Sequence, residues 1–312
     1  MDRELTSSEQ EQVRLAAAFE RGSLSRRDLL QGLLAGGVAL PAATAIVAGA
    51  KDAAAQTPRR GGRLRYAWNS QAPSDSLDPI THSTSLHYLR GRCYFNNLVQ
   101  FQDDLSLKPD LATEWSVSQD GLAWTFRLRQ DVEWHDGSRF TADDVVYSMS
   151  RHLGANSTSL GRALVSFVRE WRKLDQFTVR AELATPNNDL PAICGTFNFR
   201  IVKNDAHTIE GYFRQPIGTG PFRSVTFTPG VRSVGARNPN YFGGEVWLDE
   251  IETFSIPDPV ARVNALISGQ VEMIGAVAPT AIQQVEAATD VERWSVPSGS
   301  FSAIIMMQDR AP

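Results

Sequence analysis

The side chains best able to do chemistry in this chain are five histidines, two cysteines and a pair of neighbouring aspartates. A structural zinc ion wants four nitrogen, sulfur or carboxylate ligands in close tetrahedral array. His82, His87, His135, His152 and His207 form no H-E-x-x-H string and no close cluster with Cys or Asp, so their spacing points away from a metal centre. His82 and His87 stand where a loop enters a helix and are expected as a solvated pair. Asp143 and Asp144 have the form of an acid/base pair, yet adjacent carboxylates at a helix start are accounted for by the positive end of the helix dipole. No G-x-S-x-G string places a serine on a nucleophile elbow. Cys93 and Cys194 leave two readings open, a disulfide in an oxidising compartment or two buried thiols. Ile217-Gly218-Thr219-Gly220-Pro221-Phe222 has the glycines of a phosphate loop. It lacks the Lys-Ser/Thr pair and the helix behind it, so turn chemistry explains it.

The 312 residues are 42% hydrophobic and 21% charged, with a formal net charge of -4 and a pI near 5.8. That composition suits a globular chain long enough for one large or two medium domains. An acidic balance without a basic stripe argues against nucleic acid as a partner.

Period and punctuation define the elements that must position these groups. Trp115 and Val117 alternate with polar residues ahead of Asp120-Gly121, a dipeptide suited to a hairpin turn. Trp124, Phe126 and Leu128 then alternate with Thr125, Arg127 and Arg129, the pattern of a half-buried strand. Asp136-Gly137 marks a second turn, and Thr141 with Asp144 forms a capping-box start for a helix through Val145 and Met149. Upstream, Arg63–Trp68 is the first expected strand, and a helix is expected from Leu86 to Val99. Downstream, Phe177, Val179, Ala181 and Leu183 alternate as a strand, and 190–201 is expected as a short helix running into a strand. Asp258 as N-cap and Pro259 behind it open a helix with Val263, Leu266 and Ile267 on its buried side and Gly269 at its end. A short helix over 279–288 and strands over 291–296 and 302–307 follow.

Ser25-Arg26-Arg27-Asp28-Leu29-Leu30 is a twin-arginine pattern, followed by a moderately apolar stretch to Ala50 and small residues at 53–55. These features describe a cleavable export signal over 1–55, with a membrane anchor as the alternative. Residues 56–62 read as a flexible lead-in, and the expected location is periplasmic.

The order of the motifs resembles the extracytoplasmic solute-binding proteins of ABC importers, in the large peptide/nickel-binding group. It is carried by Ala112, Trp115, Asp120-Gly121, Trp124 to Arg129, Trp134-His135-Asp136-Gly137 and Thr141 to Val145. The 217–222 string and Arg237-Asn238-Pro239-Asn240-Tyr241-Phe242 extend it. The resemblance implies an α/β fold of the periplasmic-binding-protein type (type II, cluster C) with mixed β-sheets. Lobe one would fill most of 63–312, including a subdomain near 100–215, and the second lobe would be missing. It implies a substrate-binding component that captures a peptide or related small solute and delivers it to the permease, and through it to the ATPase subunits. Neither catalysis nor a cofactor is expected, and the twin-arginine export machinery would be a further partner. A nickel-type metal-chelate binder of the same fold is the alternative, and a twin-arginine-exported enzyme is a third reading. Ligand contacts map onto Ser83, Thr84 and Ser85, with Trp68 and Asn69 as neighbours; Ser85 also fits a helix N-cap. The family's hinge run falls on 307–312, with Met307 where the family has Asn, and Glu272 stands where it has Asp.

Overall fold

A computed structural model describes Gln31, Leu33 and residues 59–69 and 75–294 of the chain. The chain divides into two compact units, 1–60 and 61–312. Arg26, Arg27, the cleavage region and the hinge run all lie outside the described residues. Among the described residues no helix is long and apolar enough to cross a membrane.

In chain order the described strands are β1 (Arg63–Trp68), β2 (Val99–Phe101), β3 (Leu107–Pro109), β4 (Ala112–Val117), β5 (Ala123–Leu128), β6 (Val168–Asp175) and β7 (Thr178–Leu183), then β8 (Phe222–Thr228), β9 (Arg232–Arg237), β10 (Glu250–Ser255) and β11 (Met273–Ile274). The described α-helices are α1 (Ser85–Tyr94), α2 (Ala142–Ser150), α3 (Leu190–Cys194), α4 (Pro259–Ile267) and α5 (Ile282–Glu286). Two larger sheets organise them. A five-stranded sheet has the order β11-β1-β10-β9-β8, with β1 parallel to both neighbours and the remaining pairs antiparallel. A four-stranded antiparallel sheet has the order β4-β5-β7-β6, and β2 pairs with β3 alone. The fold is therefore α/β with mixed sheets, as expected.

The four-stranded sheet forms as its residue pattern dictates. Trp124, Phe126 and Leu128 of β5 and Val179, Ala181 and Leu183 of β7 are buried on one face. Gly121 holds the hairpin turn at φ 71°, a left-handed value that costs a residue with a Cβ about 1–2 kcal/mol. Helix α2 opens as expected: the Thr141 N–H donates to the Asp144 carboxylate at 2.8 Å. Asp144 also accepts from Asn204 N (3.0 Å) and Trp134 Nε1 (3.3 Å), while Asp143 is exposed and pairs with Lys173 at 2.7 Å. The aspartate pair is thus a structural start to a helix, with its two carboxylates committed to different partners.

The structure corrects three element boundaries and one buried face. Helix α1 stops at Tyr94 instead of reaching Val99, because the Asn97 N–H bonds the Asp110 carboxylate (2.9 Å) and not a helical carbonyl. Residues 195–201 enter no described sheet; Ile201 merely donates its N–H to Asn96 O at 2.9 Å. On α4 the expected N-cap bond is present, Ala261 N to Asp258 Oδ1 at 2.7 Å, but Ile267 is 41% exposed and Arg262 is buried in its stead. Residues 291–294 are not strand, and the rest of the two final expected strands lies outside the described residues.

Candidate functional site

Parallel strands present their carboxyl ends on one edge of a sheet, and in open α/β sheets ligands gather there. In the five-stranded sheet β1 and β10 run side by side, with Trp68 opposite Ser255, and β11 ends beside them at Ile274. The half-buried Trp68 ring stacks on Tyr66 with centroids 5.9 Å apart. It also lies on Gly275, where an added Cβ would come within 1.2 Å of ring atom Cζ3. A residue without a side chain is therefore required at Gly275 for the indole to take this position. Asn69, next along, is exposed.

Behind this edge, Arg262 of α4 is buried with a net of backbone bonds. Its guanidinium donates to Ile256 O (2.6 Å), Pro257 O (3.2 Å) and Ala276 O (2.9 Å). It thereby ties the turn after β10 to the turn after β11, where Ala276 is held at φ 56°. Burial pushes the Tyr66 hydroxyl up to about 12, against the lowering charge of Arg262, so this ring is neutral.

The second group of expected site residues is positioned by a buried polar network. His87 Nδ1 accepts from Ser83 N–H at 3.2 Å, so its proton sits on Nε2, which donates to Asp75 Oδ1 at 2.8 Å. The other Asp75 oxygen accepts from Arg90 Nη1 (2.6 Å) and Gly230 N (2.9 Å). Arg90, fully buried, also donates to Thr253 Oγ1 at 2.9 Å and lies 5.3 Å from the centre of the Phe227 ring. Burial alone would raise the Asp75 carboxyl; the His87 bond, the Arg90 charge and the Gly230 amide bring it down to about 2. The result is an ionised carboxylate that locks α1 to the sheet and fixes the Ser83 backbone.

These bonds correct the expectation of a solvated histidine pair. His82 is 1% and His87 5% exposed, and their rings stack with centroids 5.2 Å apart. Packing of the loop against Asn198, whose amide donates to His82 O at 2.9 Å, takes them out of water. Among the described residues no group of three potential metal ligands occurs. The N-cap of α1 is Thr84, which accepts from His87 N at 3.3 Å; Ser85 is the first helical residue, so the cap alternative for Ser85 is also corrected. Ser83 and Ser85 remain exposed, and Thr84 is half-buried.

Trp68 is linked to Ser83 by a chain of backbone and side-chain bonds. Trp68 is level with Ser255, Ser255 N bonds Val231 O at 2.8 Å, and the preceding residue, Gly230, holds Asp75 and through it His87 and Ser83. Exposed hydroxyls, an exposed amide and an indole are groups able to make hydrogen bonds and apolar contacts. They supply no activated nucleophile. Sequence reasoning did not select Asp75, Arg90 or Arg262. The spacing of His87 and Arg90 was the available signal, since i and i+3 fall on one helix face.

The remaining chemically capable residues serve the fold. His135 Nδ1 accepts from Gly218 N (3.1 Å) and Nε2 bonds Gly220 O (2.9 Å), and burial lowers the imidazole to about 4. His152 pairs with Ser159 Oγ at 2.6 Å. Cys93 and Cys194 are separate buried thiols, which settles the open pair against a disulfide; burial pushes Cys93 up to about 12. Gly218 and Gly220 pack directly on the Tyr94 and Cys93 carbonyls, and strand β8 follows them, so the string is a close-packing device and not a phosphate loop.

Solved structures carry the same fold. A periplasmic binding protein associated with an ABC transporter of Helicobacter pylori, in complex with the peptide STSA, superposes with a TM-score of 0.66 at 26% identity. The match covers 73% of this chain and 49% of that one. Heme-binding protein A of Haemophilus influenzae is 29% identical over 205 residues, 58% of this chain and 38% of its own. The dipeptide-binding protein of Escherichia coli is 27% identical over 228 residues, 65% and 43% respectively. The chain therefore spans less than half the length of these curated relatives. Fold and edge geometry together define a periplasmic-binding-protein-like domain. The family described as bacterial extracellular solute-binding proteins, family 5 middle, matches residues 106–312, and the chain belongs to it.

Proposed function

We propose that this chain forms one wall of the solute site in the binding component of an ABC importer, taking a peptide or related small solute outside the cytoplasm for delivery to the permease. The observation that supports this most is the carboxyl edge of the five-stranded sheet. Half-buried Trp68 and exposed Asn69 end β1 there, and exposed Ser83 and Ser85 are tied to the sheet through His87 and Asp75. Thr84 would shape the same loop through its cap. Hydroxyls and amides suit a peptide backbone, and the indole suits an apolar side chain. In two-lobed binders the facing wall belongs to a second lobe that closes by hinge motion. We read 1–55 as the leader, 56–62 as a lead-in and 63–312 as the solute-binding unit.

A metal-chelate or heme solute is the second reading, favoured by the heme-binding relative. Thermal unfolding of the purified chain against short peptides, nickel–histidine and heme separates the two. A rise in melting temperature with peptides alone is the expected result, since a ligand that binds the native state stabilises it by mass action. A rise with heme or nickel–histidine alone would move the assignment to the second reading. Export through Arg26-Arg27 is tested by changing both to Lys: precursor should stay in the cytoplasm, and unchanged export would make the pair incidental.

A further inference from the structure

The end of α1 away from Ser83 opens onto a cleft of about 290 Å³, lined among others by Tyr88, Arg92, Asn96, Phe197, Arg200 and Tyr241. Arg92 lies seven residues along the helix from Ser85, about 10 Å by the helical rise, so this is a different place from the solute edge. Its walls combine flat rings with two guanidinium groups, Arg92 and Arg200, and one carboxylate, Asp110. Tyr88 and Phe197 stack with centroids 3.9 Å apart, and Phe95 and Phe101 also border the space.

Arg200 is 5% exposed, and its guanidinium lies against Gly91, where an added Cβ would be 2.1 Å from Nη1. Its Nη1 donates to Phe197 O (3.1 Å) and its Nη2 to Tyr88 O (3.0 Å), while the buried Nε has no partner. Among the described residues no ion pair includes Arg200 or Arg92. Asp110 also lines the cleft and acts on both guanidinium groups through its charge, while its oxygens bond amides, accepting from Asn96 Nδ2 and Asn97 N at 2.9 Å each. Two guanidinium groups against one carboxylate leave a net positive charge that an anion would balance, and guanidinium groups favour carboxylates through paired N–H···O bonds. A cleft near 300 Å³ is at the small end of ligand pockets, room for about one ring.

We propose that this cleft is a binding site for a small aromatic carboxylate, its ring against the Tyr88–Phe197 stack and its carboxylate toward Arg92 and Arg200. The site is independent of the solute reading above, because it uses none of the same side chains.

The test is a calorimetric titration of the full chain with benzoate, acetate and benzylamine, repeated on Arg92→Gln and Arg92→Lys. Arg92 is exposed, so these variants leave the packed interior untouched. Benzoate should bind saturably below about 1 mM, at least about ten-fold tighter than acetate, and benzylamine should not bind. Arg92→Gln should weaken benzoate by about ten-fold or more, and Arg92→Lys by less, since an ammonium keeps the charge but loses the planar fork. Benzylamine binding as well as benzoate, an unchanged Arg92→Gln, or no saturation by about 1 mM would overturn the proposal.

Discussion

Changing Asp75 to Asn is expected to destabilise the protein by about 3–5 kcal/mol, the usual cost of removing one partner from a buried ion pair. Asp75 is the common acceptor for His87, Arg90 and the Gly230 amide, and Arg90 is fully buried. The amide keeps the shape but leaves the guanidinium without a counter-charge. Denaturant melts of Asp75→Asn, Arg90→Met and the double variant measure this. The double should be less destabilised than the sum of the singles, because removing both partners leaves no stranded charge. The pH dependence has a definite sign. The folded Asp75 carboxyl sits at about 2, below an unfolded value near 3.9. Its contribution is therefore present above about pH 4 and is lost as pH falls toward 2. Buried His135, lowered to about 4, weakens the fold as pH falls from about 6.5, while buried Asp110, raised to about 6, acts in the opposite sense. The stability difference between wild type and Asp75→Asn removes both background effects and should shrink below pH 4. A difference that is flat from pH 6 to pH 2 would refute the linkage.

Gly218→Ala is expected to cost about 3 kcal/mol or more, at the upper end of overpacking penalties. The added Cβ would lie 1.7 Å from the Tyr94 carbonyl oxygen, and that neighbour is backbone at the end of α1, unable to rotate aside. Gly137 is the matched control. It sits at φ 83° with nothing within 4 Å of an added Cβ, so Gly137→Ala meets conformational strain alone, about 1–2 kcal/mol. Equal losses for the two variants in thermal melts would show that close approach at Gly218 is not what that glycine provides.

The fold was legible wherever residue period met a local punctuation mark. Strand β1, the β4–β5 hairpin, the capping box of α2 and the Asp258-Pro259 start of α4 all stand where alternation, Asp-Gly, Thr-x-x-Asp and Asp-Pro place them. Two of the misreadings share a cause. Long-range bonds that have no local signal decided them: Asp110 ends α1 by capturing Asn97, and Arg262 takes the buried face of α4 to reach three carbonyls across two turns. The same holds at the candidate site. Trp68, Asn69 and the serines of 83–85 were accessible through resemblance, but the groups that hold them, Asp75, Arg90 and Gly275, come together only through tertiary contacts. The histidine pair looked solvated because imidazole is polar; His87 is buried with a partner for each ring nitrogen, and His82 is buried by stacking on it.

The most direct test of a solute site on this edge is two-dimensional amide NMR of the chain titrated with di- and tetrapeptides. It reads weak binding as well as strong, and it locates the contact. We expect saturable shifts at the Trp68 indole, Asn69 and the Ser83–Ser85 amides, weakened about ten-fold or more by Trp68→Ala, equivalent to about 1.4 kcal/mol. Shifts that cluster away from this edge, or no saturable shift for any peptide, would contradict the assignment.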